Sequence, residues 1–76
     1  MVMKDWKKIV NKKGQKSYEK KDKTLSVTIF KNYEGEWKGR YFERGSARIK
    51  WEPSNPFDFE SEKEAMQWIK KYIEEN

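Results

Sequence analysis

An α+β domain, with an antiparallel β-meander of three to four strands and one C-terminal α-helix packed on its apolar face, is predicted by three features of this sequence. Apolar residues recur at every second position through much of residues 25–52. They recur at intervals of three and four through residues 61–75, behind a helix-start signature. The chain has 76 residues, 34% of them hydrophobic and 16% aromatic. That makes one small domain whose few large rings must supply much of the buried apolar area.

The lysine-rich segment 1–24 carries the weakest pattern. Gln15–Lys20, around Tyr18, reads as a further strand joined to the next through Lys21-Asp22-Lys23. Trp6, Ile9 and Val10 have helical spacing, yet Asn11-Lys12-Lys13-Gly14 has the composition of a hairpin turn. A short strand or turn is the reading for this stretch.

A three-stranded meander is predicted over residues 25–52. Leu25, Val27, Ile29 and Tyr33 alternate with Ser26, Thr28 and Asn32, a β-branched and aromatic pattern of period two. Glu34-Gly35 marks a turn, and Trp37, Gly39 and Tyr41 then alternate with Lys38, Arg40 and Phe42. Arg44-Gly45-Ser46 turns again before Ala47, Ile49 and Trp51 alternate with Arg48, Lys50 and Glu52. Directly paired residues of an antiparallel ladder share a face, so a two-residue loop would set Trp37 against Asn32 and mix the faces. Three-residue loops at 34–36 and 44–46 keep them apart. They pair Tyr33 with Trp37, Ile29 with Tyr41, Tyr41 with Ile49 and Gly39 with Trp51.

Pro53-Ser54-Asn55-Pro56 reads as a rigid polar linker, with Phe57 and Phe59 tucked under the helix beyond it. Ser61-Glu62-Lys63-Glu64 is a capping box, in which the Ser61 hydroxyl accepts from an early helical N–H. Ala65, Trp68, Ile69, Tyr72 and Ile73 form the stripe of a helix over 61–75 with one buried face. Glu60, Glu62 and Glu64 complement the positive end of its dipole. Trp6, Trp37, Trp51 and Trp68 are all expected in the core.

Charge is distributed unevenly. Residues 1–23 hold nine lysines against three acids, a net of +6, whereas residues 53–76 hold three bases against six acids, a net of −3. Between them, residues 24–52 hold six bases against four acids, a net of +2. Such a gradient points to a polyanionic partner. No apolar stretch is long enough to span a membrane or to act as a signal peptide. With no cysteine in the chain, a cytoplasmic location is the expectation.

Enzyme chemistry has few residues to use. Histidine and cysteine are both absent, which removes the usual general base, the commonest metal ligand and the thiol nucleophile. Asp58, Glu60, Glu62 and Glu64 with Lys63 resemble a magnesium cluster in composition, but they also read as the acidic first turn of a helix. Neither catalysis nor a cofactor is expected.

The second face of the meander is more informative. In the register above, Phe30 lies beside Arg40 and Lys50, Thr28 beside Phe42 and Arg48, and Asn32 beside Lys38 and Glu52. Flat rings among cations form the working surface of single-strand binders. Phe30, Lys38, Arg40, Phe42, Arg44, Arg48 and Lys50 are therefore the candidate nucleic-acid contacts, joined by Lys12 and Lys13 from the lysine-rich turn. Lysine favours point-charge contact with phosphates, and arginine suits stacking or forked contact. The alternative is that the N-terminal segment covers Phe30 and Phe42, with Trp6 and Tyr18 packed against them.

Strands followed by one helix that opens with Phe59-Glu60-Ser61-Glu62-Lys63-Glu64-Ala65 resemble the arm-binding domains of phage integrases, which enter a DNA major groove with a three-stranded sheet. The order is also similar to that of single-strand-binding domains of the positive-cofactor-four type, which pair as dimers. Either resemblance covers at most residues 25–75 and assigns no residue a role. The function expected is thus a non-enzymatic nucleic-acid-binding module, for single or double strands. The alternative is a small protein-interaction or inhibitory domain of a mobile element or virus, meeting an acidic protein partner or a second copy of itself.

Overall fold

The computed structural model describes residues 5–44 and 50–76. Among these residues six strands form one antiparallel sheet: β1 (Trp6–Lys12), β2 (Gln15–Lys20), β3 (Leu25–Lys31), β4 (Trp37–Glu43), β5 (Glu52–Pro53) and β6 (Phe57–Phe59). The helix α1 (Glu62–Glu75) follows. Strands β1 to β4 run as a meander, and β5 and β6 both pair with the outer edge of β4. The α+β meander with a single C-terminal helix on its apolar face is therefore the fold.

From Trp6 onward the lysine-rich segment is part of the sheet and covers neither face of it. β1 and β2 form a hairpin that turns at Lys13-Gly14, where Gly14 has φ +86°. This left-handed conformation is one that glycine adopts without strain. The pairing of β1 with β2 shifts between Lys8 and Val10, leaving Ile9 as an extra residue. That bulge is why Trp6, Ile9 and Val10 mimic helical spacing in what is a strand. Before it, Trp6 and Lys8 face the helix; after it, Val10 and Lys12 face away.

The β3–β4 hairpin keeps the predicted parity and changes the register. Ile29 pairs with Gly39 and Val27 with Tyr41, two residues away from the expected partners. The connection is five residues long because Asn32 organises it. Its side-chain oxygen accepts from the Glu34 and Glu36 N–H groups at 3.0 and 2.9 Å, and its own N–H donates to the Glu36 carbonyl. Tyr33, expected opposite Trp37, lies in that loop and is fully exposed.

The edge beyond β4 also departs from expectation. Ala47, Arg48 and Ile49 of the expected third strand, and the Gly45-Ser46 turn before it, lie outside the described residues. Gly39 pairs with Phe57, not with Trp51, and Phe42 pairs with Pro53. Residues 53–56 are no free linker. Ser54 donates its N–H to the Tyr41 carbonyl at 2.8 Å, and its Oγ accepts from the Tyr41 N–H at 3.1 Å. Ser54 thus bridges the ladder between β5 and β6, while Pro53, which has no N–H, sits at an edge where none is required.

The helix starts as its sequence dictates. Ser61 is the N-cap, with backbone extended and Oγ accepting from the Glu64 N–H at 3.3 Å. Trp6, Tyr18, Val27, Ile29 and Trp37 of the sheet bury against Ala65, Ile69 and Ile73 of α1. Leu25, Tyr41, Phe59, Trp68 and Tyr72 surround this core. Two lysines of β2 hold the helix ends: Lys16 Nζ lies 3.2 Å from Glu62 Oε2, and Lys20 Nζ donates to the Asn76 main-chain oxygen at 2.5 Å. The last turn of α1 carries no basic residue of its own. Lys20 thus supplies the cation that a helix C-terminus favours.

Candidate nucleic-acid interface

Because α1 packs on one face of the sheet, strand alternation decides what the other face displays. The pairings arrange that face in cross-strand rows. Lys12, Gln15, Phe30, Lys38 and Asp58 form the first. Val10, Ser17, Thr28 and Arg40 form the second, and Lys7, Glu19, Ser26, Phe42 and Pro53 the third. Phe30 and Phe42 are both half-buried, on the face opposite the helix. Trp6 and Tyr18 lie in the core under α1, so they do not cover these rings. The first and third rows are four residues apart along β4, which is about 13 Å at the usual rise of a strand.

The predicted cations are placed unequally. Arg40 stands between the two phenylalanine rows, and its Nε is buried without a hydrogen-bond partner. A guanidinium N–H with no acceptor is a costly group to bury. Lys38 is committed: its Nζ donates to Asp58 Oδ1 at 2.5 Å. That hydrogen bond holds its ammonium pKa above the ordinary lysine range. Lys12 ends the first row, Lys13 occupies the adjoining turn, and both are exposed. Lys50 is exposed next to Trp51. Arg48 lies outside the described residues.

Arg44 contributes through a ring. Its guanidinium carbon lies 4.8 Å from the centre of the Trp51 ring, a cation–π contact. Trp51 is the residue that sequence pattern misplaced. Alternation put it on the helix side, but it lines the helix-free face beside Phe42. Continuing the Phe42–Pro53 register by two residues sets Trp51 opposite Arg44, consistent with their contact. Ile9, exposed at the bulge, borders the same region. Together with Gln15 and Ser17, the residues Ile9, Glu19, Ser26, Thr28, Phe42 and Trp51 line a cleft of about 320 Å³.

The floor of the cleft is made of small hydroxyl residues whose protons are used internally. Ser26 Oγ donates to the Tyr18 carbonyl at 3.2 Å, and Thr28 Oγ1 donates to the Lys16 carbonyl at 3.2 Å. Ser17 Oγ, 2.5 Å from Thr28 Oγ1, is then the donor in that pair, since Thr28 has only one hydroxyl proton. Glu19 closes one side, its carboxylate 3.9 Å from Lys7 Nζ.

Among the described residues no group of three or more His, Cys, Asp or Glu side chains is placed to hold an ion. Among the described residues no helix is long and apolar enough to cross a membrane. Compared with protein-family models, with curated proteins and with solved structures, the chain has no significant match.

Proposed function

We propose that this domain is a non-enzymatic nucleic-acid-binding module and that the helix-free face of its sheet is the contact surface. The observation that supports this reading most is the set of rings there. Phe30, Phe42 and Trp51 are each half-buried, and Phe30 and Phe42 stand on the sheet face opposite α1, with Trp51 beside Phe42 in the same cleft. Every base has a π-face, so such rings bind unpaired bases without needing sequence readout. Arg40, Arg44, Lys12, Lys13 and Lys50 stand around them, where attraction to phosphates adds a salt-dependent component. The net charge of +5 favours encounter with a polyanion from any direction.

Fluorescence anisotropy with labelled single- and double-stranded oligonucleotides tests this. Binding at about 50 mM salt that weakens steeply as salt rises is the expected result. No binding to either form under those conditions removes the reading. Retention of protein partners from a nuclease-treated extract, with no oligonucleotide binding, would favour an acidic protein surface as the ligand.

A further inference from the structure

The cleft on the helix-free face has a hydrogen-bonding character that generic stacking does not require. Its floor hydroxyls spend their protons on the Tyr18 and Lys16 carbonyls and on each other. What these hydroxyls can offer a ligand is therefore oxygen lone pairs, while the Gln15 amide, which also lines the cleft, keeps both a donor and an acceptor. Glu19, one strand across from Ser26 and 3.9 Å from Lys7 Nζ through one oxygen, adds a carboxylate, which when ionised only accepts. In the same row the other wall is Phe42, with Trp51 beside it. Glu19 and Phe42 are separated by the single strand that carries Ser26, so their backbones stand about 10 Å apart. A flat ring lying against Phe42 or Trp51 can then reach the carboxylate with its edge.

We infer that this cleft takes one unpaired guanine base, stacked on Phe42 or Trp51 with its Watson–Crick edge on Glu19. Guanine alone among the common bases carries two adjacent donors on that edge, N1–H and the N2 amino group. A carboxylate accepts such a pair with both oxygens, in a short charge-assisted contact. Adenine and cytosine each set one amino group beside a ring nitrogen that is an acceptor. Uracil and thymine flank their N3–H with two carbonyls. Each of those edges turns at least one lone pair toward Glu19. The inference rests on the helix-free face being the nucleic-acid surface, and it adds a base preference to it. It also favours single strands, because in a duplex the Watson–Crick edge is already paired.

The test measures anisotropy of short labelled oligothymidines carrying one central guanosine, inosine, adenosine or cytidine, with wild-type protein and Glu19→Gln. Inosine keeps N1–H and lacks the N2 amino group. Guanosine is expected to raise affinity roughly tenfold over thymidine, with inosine in between and adenosine and cytidine near thymidine. Glu19→Gln is expected to erase most of the guanosine advantage, read as the ratio of guanosine to thymidine affinity within each protein. Equal affinity for all five oligonucleotides by the wild-type protein overturns the guanine assignment and leaves the general reading standing. The same holds for an advantage that survives Glu19→Gln. No binding to any of them overturns both.

Discussion

Gly39 lies directly beneath Trp68: a Cβ added at position 39 would come within 2.7 Å of Trp68 Cζ3 and 2.8 Å of Phe59 Cε2. The helix rides close over β4 because this position has no side chain. Gly39→Ala must therefore lift the indole or shift the strand, at about 1–3 kcal/mol for overpacking. Replacing a strand glycine normally gains up to about 1 kcal/mol in β-propensity, so the steric effect prevails. The expected result is a lower melting temperature, by about 4–8 °C for each kcal/mol lost. Thermal unfolding followed by circular dichroism checks it, and an unchanged or higher midpoint would contradict the packing described.

The ion pair between Lys38 and Asp58 withholds one cation from the proposed surface. Both residues lie in the Phe30 row, and Asp58 is mostly exposed. Asp58→Asn should free Lys38 for a phosphate. A single strand then binds more tightly at low salt, with a dependence of log K on log salt steeper by about 0.7. Exposed pairs contribute little to folding, so the melting temperature should hardly move. Titrating an oligonucleotide at several salt concentrations gives both slopes.

Phe30→Leu and Phe42→Leu keep apolar bulk and remove the flat ring. If the face stacks bases, each change should weaken single-strand binding at constant salt slope, by an amount within the roughly 1–3 kcal/mol of one stacked base. The larger loss is expected at Phe42, which shares its cleft with Trp51. Equal affinities for wild type and both variants, with circular dichroism unchanged, would mean that charge alone carries the binding.

Tyr72 gives the fold an alkaline signature. It stacks on Tyr41, with ring centres 5.3 Å apart and planes at 20°, and meets Trp6 edge-on. Burial, with added repulsion from Glu43 and Tyr41, pushes its phenol up to about 12 from the usual 10.0. The unfolded chain then ionises this hydroxyl first as pH rises. Stability that is whole below pH 10 should decline between pH 10 and 12. Tyr72→Phe removes the ionisation, so its midpoint in urea should fall less over the same interval. The two curves are compared directly, which cancels the lysines that titrate nearby.

The helix and the two faces of the central hairpin were legible because they depend on local signals. Ser61 caps where a serine three residues before a glutamate should, and parity alone sorts Val27, Ile29, Gly39 and Tyr41 from Thr28, Phe30, Arg40 and Phe42. Absolute register was not legible. A slip of two residues preserves every face, and the five-residue loop is closed by the hydrogen bonds of Asn32 together with Gly35 at φ +82°. Trp51 was misread for a different reason. Its place depends on Pro53 and Ser54 docking along β4, which are contacts distant in sequence. Of the proposed surface, Phe30, Lys38, Arg40 and Phe42 follow from alternation, whereas Ile9 enters only through a bulge. Glu19 and Trp51 enter only through tertiary pairing.

The extra residue at Ile9 also bears on whether copies of this protein can join at their sheet edges. β1 is an outermost strand of the sheet, and an unpaired outer strand ordinarily invites a second chain to extend it. Here the bulge interrupts any continuous ladder after a few residues, and Lys7, Lys8 and Lys12 along the strand would repel their own counterparts. Copies crowded side by side on a polyanion would thus be kept from fusing edge to edge. Were the proposed face to bind a nucleic-acid strand, that one inserted isoleucine would let copies coat it densely without polymerising.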